Sequence, residues 1–175
     1  MANENLTYML VETAMGHGAL VASSRGLRSA LLPGLAKKDL VAEVERRHPG
    51  AVESDRGLRG AARAFENYFL TGKVTGRAPK LDLDGVSPFR LTVYEALLDL
   101  APGQVVTYAE LARRVGRPGA HRSVGTALSR NPIPVFIPCH RVVRKNGELG
   151  GYGGGLWRKK KLLAHERTVA GTDGD

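Results

Sequence analysis

The sequence predicts an α+β chain: a small N-terminal α/β domain with an antiparallel sheet, then a mostly helical C-terminal domain with a helix-turn-helix and a candidate active-site cysteine. Three observations carry this reading. Short apolar runs parted by glycine-containing breaks fill residues 6–32, the pattern of strands joined by turns. Apolar residues recur at helical spacing in six later segments. Between the second and third of these, residues 71–86 hold three glycines, a proline and two aspartates, the composition of a linker.

Taken in order, residues 6–11 and 19–22 are apolar runs, and Gly16-His17-Gly18 between them reads as a turn, with His17 a turn residue rather than a ligand. Residues 28–32 form a third strand, ended by Pro33-Gly34. Residues 37–47 read as a helix with Leu40, Val41 and Val44 on one face, ended by Pro49-Gly50. Residues 58–70 form a second helix that buries Leu58, Ala61, Ala62, Phe65 and Phe69. The N-terminal domain is thus 1–80, and the linker carries a short strand at 81–83.

The C-terminal domain is read as 86–167, with 168–175 a flexible tail of small and polar residues. Residues 89–100 form a helix with Val93, Leu97 and Leu98 buried, and Pro102-Gly103 turns the chain. Thr107 and Glu110 have the spacing of a capping box, in which each side chain satisfies a free amide at a helix start. That helix runs to about residue 115. After Arg117-Pro118-Gly119, residues 120–129 form another, with Val124, Ala127 and Leu128 inward. Two helices joined by a glycine-containing turn suggest a helix-turn-helix. Its second helix, which would enter a DNA groove, carries Arg122 and Arg130.

Val142-Val143 reads as a strand, Lys145-Asn146-Gly147 as a hairpin-type turn, and residues 150–155 as a loop in which five glycines surround Tyr152 and let backbone approach a ligand. Residues 157–166 form the last helix, with a basic run at 158–161.

Charge is unevenly placed. Residues 1–85 carry 12 basic and 10 acidic side chains, whereas residues 86–167 carry 14 and 5. The excess lies in the half that holds Cys139, where it would attract phosphate backbones or serve solubility alone. Cys139 is the only cysteine, which excludes an internal disulfide and a multi-cysteine zinc site. A lone cysteine is often a small buried hydrophobe. Here His140 and Arg141 follow it, and nearby positive charge or histidine favours the reactive thiolate. Pro138 holds Ile137 extended, so the approach to the cysteine is a strand or stiff loop. There is no apolar run of membrane-spanning length and no secretory signal pattern at the start, so a cytoplasmic protein with no membrane partner is expected.

The window from Asn131 through Pro132, Pro134, Pro138-Cys139-His140-Arg141-Val142-Val143, then Gly151-Tyr152-Gly153-Gly154-Gly155-Leu156 and Leu162-Leu163-Ala164-His165-Glu166, resembles the O6-alkylguanine-DNA alkyltransferases. These are also called methylated-DNA–protein-cysteine methyltransferases. The resemblance runs from Phe89 to Glu166. It implies direct-reversal repair: a methyl or other alkyl group leaves O6 of guanine, or O4 of thymine, in double-stranded DNA and is bound irreversibly by Cys139. It also implies one turnover per molecule and no cofactor; no metal and a monomer are expected, and the sequence leaves open whether molecules cooperate along DNA. Some members hold a structural zinc in the N-terminal domain, for which this chain lacks the cysteines.

Residue by residue, the resemblance makes Cys139 the nucleophile, His140 the group that takes its proton through a water, and Glu166 the acid that orients His140. Tyr108 crowds the target phosphate and donates to the leaving base, and Asn131 joins the recognition helix to the active-site segment. Arg122 is the finger that fills the space of the flipped base. Arg130, Ala120, Ser123, Thr126 and Arg141 complete the expected DNA-binding set. The substrate pocket is expected from Pro134, Val142, Tyr152, Gly153 and Gly154, with the carbonyls of Cys139 and Val142 reading the guanine amino group. Three positions depart from common family residues: Tyr94 stands for tryptophan, Arg90 for glutamine, and Gly153 for serine. Rival readings are a non-catalytic binder of alkylated DNA, which usually lacks the cysteine, a cysteine hydrolase, and a transcription regulator using the helix pair alone.

Overall fold

A computed structural model describes residues 5–170, and the side chains of residues 5–168. The chain divides into two compact units, Met1–Asp84 and Gly85–Asp175.

The first unit is built on a four-stranded sheet ordered β3-β2-β1-β4, from β1 (Thr7–Thr13), β2 (Gly16–Ser23), β3 (Gly26–Leu31) and β4 (Val52–Glu53). The first three strands are antiparallel neighbours, and β4 joins β1 in parallel. The reversal between β1 and β2 falls at Ala14-Met15, so Gly16 and His17 are paired strand residues rather than the expected turn. β4 was not foreseen, because two exposed residues carry no alternation to read.

Helix α1 (Lys37–Arg47) closes one sheet face: its Leu40 and Val44 join Tyr8, Ala19, Val21 and Leu31 in one buried cluster. Val41, expected on the same face, is exposed, because it lies about 100° round the helix from Leu40. Helix α2 (Arg59–Thr71) lies against β1 and buries all of the expected residues except Leu58, which is buried as its N-cap, and adds Ala64 and Tyr68. A Cβ on Gly18 of β2 would stand 2.8 Å from the Phe65 ring and 2.7 Å from the Leu31 carbonyl, so this strand residue must be glycine. Interior β2, buried on both faces, is accordingly apolar without alternation.

The expected strand at 81–83 reduces to one bridge, Leu81 to Leu27. Residues 80–82 are nonetheless tied to β3: Leu27 N donates to Lys80 O and Asp82 N to Leu27 O, both at 2.8 Å. The buried Asp82 carboxylate accepts from Ser23 Oγ (2.6 Å), Arg28 Nη1 (2.9 Å) and Arg25 Nε (3.3 Å). Burial pushes that carboxyl up, but these donors outweigh it and hold it at about 2.

The second unit contains α3 (Pro88–Leu98), α4 (Tyr108–Arg114), α5 (His121–Ser129) and α6 (Leu156–Ala170), with a two-stranded parallel sheet of β5 (Val106–Thr107) and β6 (Val142–Val143). Leu98 is half exposed rather than buried, and Tyr94 takes the inward position beside Val93 and Leu97. Helix α6 continues through residues 168–170, so no flexible tail begins at residue 168; residues 171–175 lie outside the described residues. No described helix is long and apolar enough to cross a membrane.

Candidate active site

The capping box forms as its spacing demands: Glu110 N donates to Thr107 Oγ1 at 3.1 Å, and Thr107 N to Glu110 Oε2 at 2.6 Å. It starts α4 immediately after β5 and so places Tyr108 in the first turn. Helix α5 turns Val124, Ala127 and Leu128 inward and leaves His121, Arg122, Ser123 and Thr126 exposed. The two departures Arg90 and Tyr94 brace its end. Tyr94 Oη donates to Ala127 O (2.9 Å), and Arg90 Nη2 donates to Arg130 O (2.7 Å) and to Tyr94 Oη (3.1 Å).

After α5 the chain turns tightly toward the cysteine. Asn131 holds this turn: its Oδ1 accepts from Ile133 N (3.0 Å), and its Nδ2 donates to Ile137 O (2.8 Å) and lies 2.9 Å from Cys139 Sγ. Within the turn, buried Val135 has φ of 78°, a left-handed conformation that is costly for a β-branched residue and is retained only where its surroundings impose it. Cys139, His140 and Arg141 then form a single 3-10 turn rather than a strand, leading into β6.

Behind the cysteine lies a buried ionic cluster. Glu166 of α6 accepts from Arg141 Nε and Nη2 (both 2.9 Å) and from Gly103 N (2.9 Å). His140 Nε2 stands 2.7 Å from Glu166 Oε1. A carboxylate only accepts, so Nε2 carries the hydrogen and Nδ1 is the basic nitrogen of the neutral ring. Arg141 Nη1 also donates to Leu100 O at 2.5 Å. Burial alone would raise the Glu166 carboxyl, but the hydrogen bonds from His140 and Arg141 prevail and hold it at about 2. Burial lowers the His140 pKa against the pull of Glu166. Arg141, expected on the DNA face, is therefore corrected: its guanidinium is 6 % exposed and engaged by Glu166 and Leu100.

After β6 the expected turn forms: Gly147 takes positive φ, Gly147 N donates to Arg144 O (2.9 Å), Arg144 N to Glu148 O (2.8 Å) and Glu148 N to Asn146 Oδ1, though no further strand follows among the described residues. The glycines of the loop after it allow close approach as expected, and the group approached is Tyr108. Gly150 has φ of 66°, and a Cβ there would stand 2.9 Å from the Tyr108 ring. Lys159 straps this loop down. It is fully buried, and its ammonium donates to Val142 O (2.6 Å) and Leu149 O. Burial lowers its pKa to about 8, opposed by the nearby sulfur. In the sequence, Lys159 is one of four consecutive basic residues, 158–161. The signal that could have found it is its position three and four residues before Leu162 and Leu163, and seven before Glu166, on one helix face.

Cys139 lies at a cavity of about 790 Å³ whose wall includes Tyr108, Arg122, Gly125, Tyr152 and Gly153, with Arg144 and Lys145 contributing positive charge. Burial raises the thiol pKa; the Asn131 hydrogen bond, the nearby Tyr152 hydroxyl and the charge of Lys159 work against that. Of the expected residues, the fold brings Cys139, Tyr108, Arg122, Tyr152 and Gly153 to this one cavity. His140 and Glu166 are buried behind it, and Asn131 touches the sulfur. Pro134, Val142 and Gly154 do not line it. Val142 is buried, with its carbonyl taken by Lys159; Pro134 bridges Ile137; and the Gly154 carbonyl accepts from Arg158. Ala120, Ser123, Thr126 and Arg130 lie along α5 outside the cavity. A Cβ on Gly153 would meet only the Ser129 carbonyl, at 3.4 Å, so the missing serine leaves space rather than strain.

This combination, a helix-turn-helix with a single thiol at a cavity beside its second helix, defines a DNA-binding protein with a cysteine centre. Comparison with known proteins agrees. Residues 88–168 match the family profile of the 6-O-methylguanine DNA methyltransferase DNA-binding domain. The methylated-DNA–protein-cysteine methyltransferase of Mycolicibacterium paratuberculosis is 42% identical over 80% of this chain and 82% of its own. That of Methanosarcina barkeri is 36% identical over 91% and 96%. The crystal structure of Mycobacterium tuberculosis OGT in complex with DNA matches with a TM-score of 0.77 at 31% identity, covering 93% of this chain and 94% of that one. The chain belongs to the methylated-DNA–protein-cysteine methyltransferase family.

Proposed function

We propose that this protein reverses alkylation damage by transferring a methyl or other alkyl group from O6 of guanine, and from O4 of thymine, in double-stranded DNA to Cys139. The observation that carries the reading is the shared cavity: the thiol and the basic first turn of α5 border the same space. Helix α5 enters a groove with Ser123, Thr126 and Arg130 along the backbone, and Arg122 takes the place of the extruded base.

His140 Nδ1 accepts the thiol proton through a water, and Glu166 holds the resulting imidazolium. The Sγ–carbon bond forms as the carbon–O6 bond breaks. The electron pair remains on the guanine, whose developing charge accepts a hydrogen bond from the Tyr108 hydroxyl while the base takes its proton from solvent. Burial raises the Tyr108 pKa, against Arg144, so this donor stays protonated at neutral pH. The product is a thioether, which has no easy leaving route, so each molecule acts once. The alkyl group comes from the DNA and no cofactor is consumed. The protein acts as a cytoplasmic monomer.

The test is intact-protein mass after incubation with a short duplex containing one O6-methylguanine. A gain of about 14 Da on Cys139, saturating at one per chain, is expected. Tight binding without mass change would replace this reading by non-catalytic lesion binding.

A further inference from the structure

Two donors lie near the Cys139 sulfur, and Asn131 is the one whose geometry is already that of a hydrogen bond. Asn131 Nδ2 sits 2.9 Å from Sγ. The other is the phenol of Tyr152, whose side chain lines the cavity with Cys139. Its Oη is buried and has no hydrogen-bond partner among the described residues. Folded proteins rarely leave a buried hydroxyl in this state without a use for it. A neutral thiol is a weak acceptor and satisfies Oη poorly, whereas a thiolate is a strong one.

We infer that the Tyr152 hydroxyl is a donor held in reserve for the Cys139 thiolate, so that Tyr152 and Asn131 together stabilise the sulfur's charge as it forms. The inference rests on reading Cys139 as the nucleophile, and it gives Tyr152 a task beyond forming a wall of the pocket. The ionisation behaviour of the pair runs the same way. Burial, and then the charge on Cys139, push the Tyr152 pKa well above the usual phenol range, so Tyr152 carries its hydrogen at neutral pH. The arrangement also suits a single-use protein. The sulfur stays a protonated, buried thiol at rest and gains its second donor only on ionisation. The other titratable groups coupled to the sulfur are Lys159 of α6, Tyr108 of α4 and Tyr94 of α3, with His140 adjacent in the chain.

Tyr152→Phe removes one oxygen and leaves these groups in place. Because Cys139 is the only cysteine, carbamidomethylation by iodoacetamide, followed by intact mass from pH 6 to 10, reads this one thiol. The variant's reactivity midpoint is expected to move alkaline by about one pH unit, with a rate near neutral pH lower by about tenfold, the worth of one hydrogen bond to a charged group. Its melting temperature should be unchanged or higher, since an unpartnered hydroxyl has been removed. Alkyl transfer from the O6-methylguanine duplex should fall by a similar factor at unchanged duplex affinity.

An unmoved midpoint overturns the inference, even if rates fall evenly at every pH, because packing alone would account for that. A melting temperature lower by many degrees also overturns it, because the hydroxyl would then have a partner at rest. If the native protein reacts with iodoacetamide yet takes nothing from the duplex, the repair reading fails, and the thiol profile still decides the role of Tyr152.

Discussion

Replacing Glu166 by glutamine removes one oxygen from the centre of the buried cluster. The two carboxylate oxygens accept from four donors: Arg141 Nε and Nη2, Gly103 N and His140 Nε2. Glutamine offers one oxygen, and its amide nitrogen turns hydrogens toward a guanidinium or imidazole that also presents hydrogens. At least one charge-assisted bond is lost, at about 1.5–3 kcal/mol each, and a 6 % exposed Arg141 keeps its charge without its anion. Breaking a buried pair from one side costs about 3–5 kcal/mol. We expect Glu166→Gln to lose that much stability, a fall in melting temperature of about 6–20 °C for a chain of this size. Trp157, the only tryptophan, lies at the start of α6 and reports urea unfolding of this unit by fluorescence. A loss below about 1 kcal/mol would refute the view that Glu166 anchors Arg141. The double change Glu166→Leu with Arg141→Leu should recover much of the loss, because no buried charge is stranded.

Arg122→Ala should slow transfer from duplex DNA by at least about tenfold, the cost of an unsupported base extrusion, while reaction with a free base such as O6-benzylguanine changes little; equal slowing would remove Arg122 from the extrusion step. Stability should fall as pH drops from 6.5 toward 2, followed by circular dichroism melts. Glu166 and Asp82 are both held at about 2, below their ordinary values, so their contribution is present above the unfolded pKa and lost on the way down. His140 is lowered too, so the unfolded chain takes up a proton near pH 6.5 that the folded chain does not, which acts in the same direction. A melting temperature that rises between pH 6 and 3 would contradict this. Gly18→Ala should cost about 1–3 kcal/mol by overpacking, because its methyl meets the Leu31 carbonyl and the Phe65 ring; a neutral result would mean β2 and α2 separate easily.

Periodicity identified α1, α2, α3 and α5, since a helix that buries one face must repeat its apolar residues. It was less able to mark the edge of that face. Val41 and Leu98 are apolar neighbours of buried residues, yet both are exposed, because an apolar side chain next to a buried stripe looks the same whether or not another element reaches it. The β1–β2 turn was misplaced for a related reason. Glycine signals a turn, but glycine is also required where an aromatic ring crosses a strand, as Phe65 does at Gly18.

Charge was the harder property to place. Arg141 is expected on the DNA face and Lys159 falls within a basic run, and both are buried. Burial of a cation is decided by distant acceptors: Glu166 and Leu100 for Arg141, Val142 and Leu149 for Lys159. The members of the first set lie 25 and 41 residues away along the chain. The linear sequence by itself determined the element types, the capping box at Thr107 and Glu110, and the presence of one thiol within a Pro-Cys-His-Arg segment, because each depends on neighbours within a few residues. Only the tertiary structure decided that Asn131 touches the sulfur, that Glu166 joins His140 to Arg141, and that the Tyr152 hydroxyl is buried at the cavity that holds the thiol. Those facts depend on where α6 and the glycine-rich loop come to rest, which is set by the packing of whole elements rather than by local residue preference.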